Sequence, residues 1–148
     1  MQVNILLYTL QGVSFTALLL ASSAIDIRKR IIPDTVCILI AATGLILFKP
    51  VKLLGILTAL PFLLAALFCG GMGGGDIKLM AASGIVLGIM RGIAASIVGL
   101  SAMLLFYVVY STVQRMRRRE YQKSFPLAPF LSIGCIAVYI MNLGGIIL

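Results

Sequence analysis

Residues 93–114 read IAASIVGLSAMLLFYVVYSTVQ, an apolar run without one charged side chain. A hydrocarbon core of roughly 30 Å needs about 20 helical residues, so this run predicts a transmembrane helix. Three further runs come close to that length: Ile5 to Ile25, Val51 to Cys69 and Leu127 to Leu148. Two shorter runs, Thr35 to Phe48 and Ile77 to Met90, would rise only about 21 Å. The runs predict an all-α, polytopic membrane protein with about six transmembrane helices, two of them short.

The composition supports the same class. Of 148 residues, 61% are hydrophobic, and the mean hydropathy is +1.16, whereas about half of a soluble domain is apolar. The first run has no basic leader and no small-residue cleavage site, so we expect a retained helix rather than a removed signal. The connecting segments are short, and we predict a single integral-membrane domain over residues 1–148.

The basic residues predict the orientation. With six spans and the N-terminus outside, nine lie inside: Arg28, Lys29, Arg30, Lys78, Arg115, Arg117, Arg118, Arg119 and Lys123. Three lie outside: Lys49, Lys52 and Arg91. This distribution satisfies the positive-inside rule. The basic segment Arg115 to Lys123 is typical of an inner-leaflet contact with anionic lipid, and no aromatic platform accompanies it that would favour nucleic-acid binding.

The acids are so few that each is a functional candidate. They are Asp26, Asp34, Asp76 and Glu120, and the chain has no histidine. Ionisable groups near apolar membrane segments are costly and are usually functional. Two spans separate Asp26 from Asp76, and an even number of crossings returns the chain to the side it left. We therefore expect these two carboxylates on one membrane face, with Ser22 and Ser23 extending a polar stripe from Asp26 along the first helix.

Two facing carboxylates have a specific chemical use. They share a proton, because both cannot ionise easily at short distance, so one activates water while the other protonates a carbonyl oxygen. That chemistry hydrolyses a peptide without histidine, metal or cofactor, and the chain shows no metal-ligand cluster. Glycines before Asp76 would let the backbone turn sharply and let a substrate strand approach.

Two sequence blocks resemble a known family. Residues 26–34 read DIRKRIIPD, similar to an aspartate followed by five residues and then an aliphatic-Pro-Asp/Asn element. Residues 71–79 read GMGGGDIKL, similar to a Gly-x-Gly-Asp-x-Lys-Leu element with a small-residue tail. Both blocks, in this order, resemble the type IV prepilin peptidases, which are membrane aspartyl proteases of the Gly-x-Gly-Asp type.

The resemblance implies an activity and residue roles. Its catalytic aspartates correspond to Asp26 and Asp76, and its motifs include Pro33, Gly73, Gly75 and Lys78. It implies cleavage of a prepilin or pseudopilin precursor at the cytoplasmic face of a bacterial inner membrane, with a basic leader released. The candidates for contact with the precursor are Arg28, Lys29, Arg30 and Lys78. The chain has no paired-cysteine extension, so it resembles the short form of tight-adherence pilus systems, and methyltransferase activity is not expected. The oligomeric state is not predicted.

Several alternatives remain open from the sequence. Asp76 could simply begin a helix, where an acid interacts favourably with the dipole, and this explanation is preferred for Asp34. Lys78 could extend to the inner face as a solvated cation or act near Asp76. Ser83 with Lys78 could form a serine-lysine hydrolase site.

Two other functional classes also fit parts of the sequence. A small channel or carrier subunit would use intramembrane acids to bind protons or cations, but it should place polar groups through the middle of the membrane. A presenilin-type protease shares the Gly-x-Gly-Asp element, but Ile25 rather than tyrosine precedes Asp26. The repeat Gly84, Gly88 and Gly92 predicts close helix packing.

Overall fold

The computed structural model describes residues 2–47, 49–69, 73–117 and 126–143, and all the regular elements in these ranges are helices. They are α1 (Gln2–Lys29), α2 (Asp34–Leu45), a 3₁₀ helix (Pro50–Ala59) that continues as α3 (Leu60–Cys69), α4 (Gly74–Leu87), α5 (Ile89–Arg117) and α6 (Ala128–Leu143). Counting the 3₁₀ helix and α3 as one pass, the described chain makes six helical passes. The all-α prediction is confirmed.

Some predictions fall outside the described residues. They concern Gly71 and Met72 of the second block, Arg118 to Lys123 of the basic segment, and Gly144 to Leu148 at the end of the last predicted span.

The apolar surface of the bundle identifies a multi-pass membrane protein. Three helical stretches are long and apolar enough to cross a bilayer, namely Leu6–Lys29, Pro50–Phe68 and Ile89–Arg115. Asp34–Leu45 and Ala128–Asn142 are shorter apolar helices. Leu104, Leu105 and Val109 on α5 are more than half exposed. Large apolar patches are rare on soluble monomers, so these side chains face lipid.

Helix α4 forms the centre of the bundle. It packs against α2, α3, α5, α6 and the 3₁₀ helix, while α1 packs against α2 and α6. Leu79, Met80 and Val86 of α4 are buried in the apolar core. Because α4 begins at Gly74, its first turn carries Asp76 to one end of the bundle.

The helix boundaries around α4 differ from the prediction. The predicted run Ile77 to Met90 is replaced by α4, which ends at Leu87, and α5 begins at Ile89 rather than at Ile93. Gly88 separates the two helices with a φ of 83°, a left-handed conformation that favours glycine. This single residue turns the chain, so Arg91 lies in the first turn of α5.

The 3₁₀ segment has a local cause at its junction with α3. The amide of Leu60 donates to the carbonyl of Leu57, three residues earlier. Pro61 has no N–H, so it cannot supply the competing bond from four residues later to that carbonyl. The α-helical bonding pattern resumes beyond the proline.

Glycines bring the helices into close contact, as the four-residue repeat predicted for two of its members. A Cβ on Gly84 would clash with the backbone carbonyl of Gly55 in the 3₁₀ helix, and a Cβ on Gly92 would clash with Thr58. The Thr58 hydroxyl donates across the same contact to the Met80 carbonyl at 3.1 Å. Gly88 is the exception, because it serves the turn rather than packing.

Candidate active site

Asp26 lies near the end of α1, where α1 meets the start of α6. Its side chain is buried, and its Oδ2 accepts a hydrogen bond of 3.2 Å from the amide of Ala128, the first residue of α6. One turn earlier, the Ser23 hydroxyl donates to the Ser132 hydroxyl at 2.9 Å. The polar stripe of α1 therefore faces α6, and the positive N-terminal end of α6 lies against the Asp26 carboxylate.

Asp76 is the third residue of α4 and is partly buried. Gly73 precedes the helix with φ −69° and ψ 132°, an extended conformation available to any residue. The expected sharp glycine turn is therefore not found at Gly73, Gly74 or Gly75, because Gly88 is the one glycine with positive φ in the described ranges.

Gly75 is explained by packing instead. A Cβ at this position would lie 3.0 Å from the Cβ of Ile32, which belongs to the first sequence block. Ile32 precedes Pro33, the residue that caps α2 with an extended backbone. The two blocks thus touch directly, and a small residue at 75 lets them do so. A Cβ on the neighbouring Gly74 would meet nothing within 4 Å.

A polar cavity of about 350 Å³ lies where the two blocks meet. Its lining residues are Asp26, Arg30, Ile31, Ile32, Asp34, Gly73, Gly74, Gly75, Asp76 and Lys78. Asp26 and Asp76, predicted to share one face, thus border a common space. All three acids in the described ranges lie at this end of the bundle. The channel alternative predicted a path of polar groups through the membrane, and the described acids do not form one.

The cavity changes the protonation of Asp76. Burial, and then the negative charge of Asp26, raise the pKa of the Asp76 carboxyl to about 6. A carboxylate whose role was only to begin a helix would have a lowered pKa, because the helix dipole favours the charged form. The raised pKa means that Asp76 stays neutral up to about pH 6 and ionises above it, so it can donate a proton.

We expect this pKa to be directly measurable. The chain has three aspartates, so the ¹³Cγ spectrum of aspartate-labelled protein in micelles holds three carboxyl signals. One signal should titrate near pH 6 and vanish in Asp76→Asn. In Asp26→Asn it should titrate lower but remain above the ordinary aspartate value, since burial is the larger cause. A wild-type spectrum in which all three carboxyls titrate near pH 4 would contradict the buried, coupled pair.

Asp34 and Lys78 form an ion pair at the mouth of the cavity. The Lys78 Nζ lies 2.8 Å from Asp34 Oδ1 and 2.9 Å from Oδ2. This pairing raises the pKa of the Lys78 ammonium, through the hydrogen bond first and the charge of Asp34 second. Lys78 is therefore neither a purely solvated cation nor a base for Ser83, which is fully buried in the core. Both paired side chains are exposed, and solvent screening makes the contribution of such a surface pair to stability small.

The three basic residues after Asp26 separate in the structure. Arg28 and Lys29 are exposed within the last turn of α1. Arg30 lines the cavity and ends the helix with a φ of 54°, a left-handed conformation costly for a residue with a side chain. Of these three predicted contacts for a precursor, only Arg30 lines the cavity, together with Lys78, the fourth predicted contact.

The described residues offer no metal-binding site, because no three His, Cys, Asp or Glu side chains among them lie close enough together to act as ligands. Sequence reasoning missed Ala128, whose contribution is a backbone amide and therefore leaves no side-chain signal.

Comparison with known proteins supplies independent information. The sequence profile of the type IV leader peptidase family matches residues 13–141, which include both blocks around Asp26 and Asp76. The chain is also 33% identical over 140 residues to a "Prepilin leader peptidase/N-methyltransferase" of Bacillus subtilis (strain 168), with 87% of this chain covered. The chain spans about half of that relative, 54% of its length. No solved structure matches the chain.

Proposed function

Because the chain belongs to the type IV leader peptidase family, we propose that it is a membrane aspartyl endopeptidase. It removes the basic leader from prepilin or pseudopilin precursors and uses Asp26 and Asp76 to activate water. The observation that carries the proposal is the cavity where the two sequence blocks meet, since it brings both acids to a common space. The charge of Asp26 also acts on Asp76 there.

The surroundings of the two acids suggest which role each takes. The amide of Ala128 and the N-terminal end of α6 favour a negative charge on Asp26. Burial and the charge of Asp26 favour the neutral form of Asp76. Asp26 is then the general base that takes a proton from water, and Asp76 is the acid that protonates the carbonyl oxygen of the scissile peptide.

The proton transfers close a complete cycle. Water oxygen bonds to the carbonyl carbon, its proton passes to Asp26, and the Asp76 proton passes to the carbonyl oxygen. When the C–N bond breaks, Asp26 returns its proton to the departing amine and Asp76 recovers one from a hydroxyl of the intermediate. The pair ends with one proton, as it began, and no covalent intermediate is needed.

The position of the cavity fits a substrate that is itself partly in the membrane. The cavity lies at the ends of apolar helices, so a precursor helix in the bilayer can place the peptide that precedes it beside the acids. Arg30 and Lys78 at the cavity can contact an acidic side chain of the precursor. The basic residues Arg28, Lys29 and Arg30 beside Asp26 support a cytoplasmic position for this end of the bundle. The N-methyltransferase named for the relative is not part of this proposal.

A cleavage assay tests the proposal. Purified protein in micelles should convert a precursor with a basic leader and an apolar helix into two products, with the cut just before the helix by mass spectrometry. The rate should be unchanged by a metal chelator and by serine- or cysteine-directed reagents, because the dyad uses only carboxylates and water. A matched precursor with a neutral leader shows how much the basic residues contribute. Loss of activity with the chelator, restored by added metal, would overturn the metal-free mechanism.

A further inference from the structure

A second cavity lies at the opposite end of the bundle from the acids. It has a volume of about 530 Å³ and is bordered by residues near the starts of α1, the 3₁₀ helix and α5 and near the ends of α4 and α6. Gln11 on its wall lies about 22 Å along α1 from Asp26, at 1.5 Å per residue. The second cavity is therefore separate from the proposed catalytic site, and nothing in the peptidase proposal uses it.

Three cations line this cavity, and no acid does. Lys49, Lys52 and Arg91 are on its wall, and Lys49 and Arg91 lie near enough to Lys52 to repel its charge. None of the three makes an ion pair with another residue in the described ranges. All the described acids line the other cavity. Among the residues that the structure describes, the positive charge at this end thus has no counter-charge.

Helix ends add to the positive potential. Lys49 caps the start of the 3₁₀ helix, Lys52 lies in its first turn, and Arg91 lies in the first turn of α5. The N-terminus of a helix carries partial positive charge and unpaired amides, so it favours acids and disfavours cations. Three cations at two helix N-termini repel one another and the helix dipoles, and a bound anion would offset this repulsion.

The lining and the volume of the site suit a phosphate-bearing group at the membrane surface. Tyr139 and Asn142 add polar groups to the wall, and the volume lies within the range of ligand sites, about 300 to 1,000 Å³. Leu53 and Leu54, directly after Lys52, are about half exposed and can contact acyl chains beside the cavity. Lys and Arg are the usual partners of phosphate oxygens.

We propose that this cavity binds a phosphate group, with Lys49, Lys52 and Arg91 as its ligands. The group can be the headgroup of an anionic phospholipid or a free phosphate, since both present the same charged oxygens. The site is independent of the peptidase activity, so its presence or absence does not bear on that function.

Lipid retention tests the site. The protein is incubated in mixed micelles of dioleoylphosphatidylglycerol and dioleoylphosphatidylcholine, which share acyl chains, and retained lipid is counted by native mass spectrometry. Wild type should retain the phosphatidylglycerol at least about tenfold over the phosphatidylcholine, since each basic residue near a lipid surface favours anionic lipid. The triple variant Lys49→Gln/Lys52→Gln/Arg91→Gln should lose this preference. A parallel melt with inorganic phosphate tests the free ion.

A charge-matched control distinguishes binding in the cavity from general electrostatic attraction between the protein and anionic lipid. Arg28→Gln/Lys29→Gln/Arg115→Gln removes the same charge from exposed positions outside this cavity, one of them in the predicted inner-leaflet contact, and should keep most of the preference. If phosphate raises the melting temperature of wild type but not of the triple variant, and phosphatidylglycerol is not retained, the site stands with free phosphate as its ligand. Equal loss in both triple variants, or no response of wild type to either probe, overturns the proposal. Lys52→Gln alone, with an expected loss of about fivefold, replaces the triple variant if that variant does not fold.

Discussion

Asp26→Asn and Asp76→Asn should each lower the rate of precursor cleavage by about 10³-fold or more, within the range that general acid-base groups contribute. An amide keeps the size of the carboxyl group but cannot exchange a proton. In Asp26→Asn, the side-chain amide oxygen would still accept the hydrogen bond from the Ala128 amide, so the α1–α6 contact and the fold should persist. The measurement is single-turnover cleavage by purified variants, alongside thermal melts that confirm folding.

The matched control for these variants is Asp34→Asn. Asp34 lines the same cavity and is equally an aspartate, but it is exposed and paired with Lys78. Its loss removes an exposed ion pair that solvent screens strongly, so the rate should change less than about fivefold. The double variant Asp26→Asn/Asp76→Asn should be no slower than either single variant, because two groups that act as one unit do not contribute additively. Substantial cleavage by either folded single variant would remove that residue from the mechanism.

The meeting of Asp26 and Asp76 could be predicted because it follows from counting helices. An even number of crossings places both residues at the same face whatever the exact helix ends are. The apolar runs define those crossings by length alone. Errors of several residues at the ends of α4 and α5 therefore do not change the prediction of a common membrane face, and the common cavity agrees with it.

The remaining features of the site depend on tertiary contacts that a single sequence does not reveal. The glycines before Asp76 predicted a turn, but Gly75 is small because Ile32 from the first block packs against it. The partner of Asp26 is the amide of Ala128, and a backbone group has no residue-specific signature. Asp34 and Lys78 are 44 positions apart, so no helical spacing connects them.

Gly84→Ala should lower the stability of the protein strongly. The added Cβ would meet the backbone of Gly55 and the Thr58 hydroxyl, and a backbone carbonyl cannot rotate away as a side chain can. Helix α4 must then move away from the 3₁₀ helix, which loses packing along the contact. Overpacking usually costs about 1 to 3 kcal/mol and sometimes more. A Cβ on Gly74 has open space around it, so Gly74→Ala should change the free energy of unfolding by less than about 0.5 kcal/mol.

The reciprocal substitution distinguishes this contact from a general intolerance of α4 to larger residues. Gly55→Ala directs its Cβ at the Gly84 carbonyl from the opposite helix, so it should destabilise by a similar amount. Once one methyl group has separated the helices, the second methyl group fits without further separation. The double variant should therefore cost clearly less than the sum of the two single variants, as expected for residues that share one contact. Additive losses in detergent-denaturation curves, or a Gly84→Ala protein as stable as Gly74→Ala, would show that α4 and the 3₁₀ helix do not approach each other through this glycine pair.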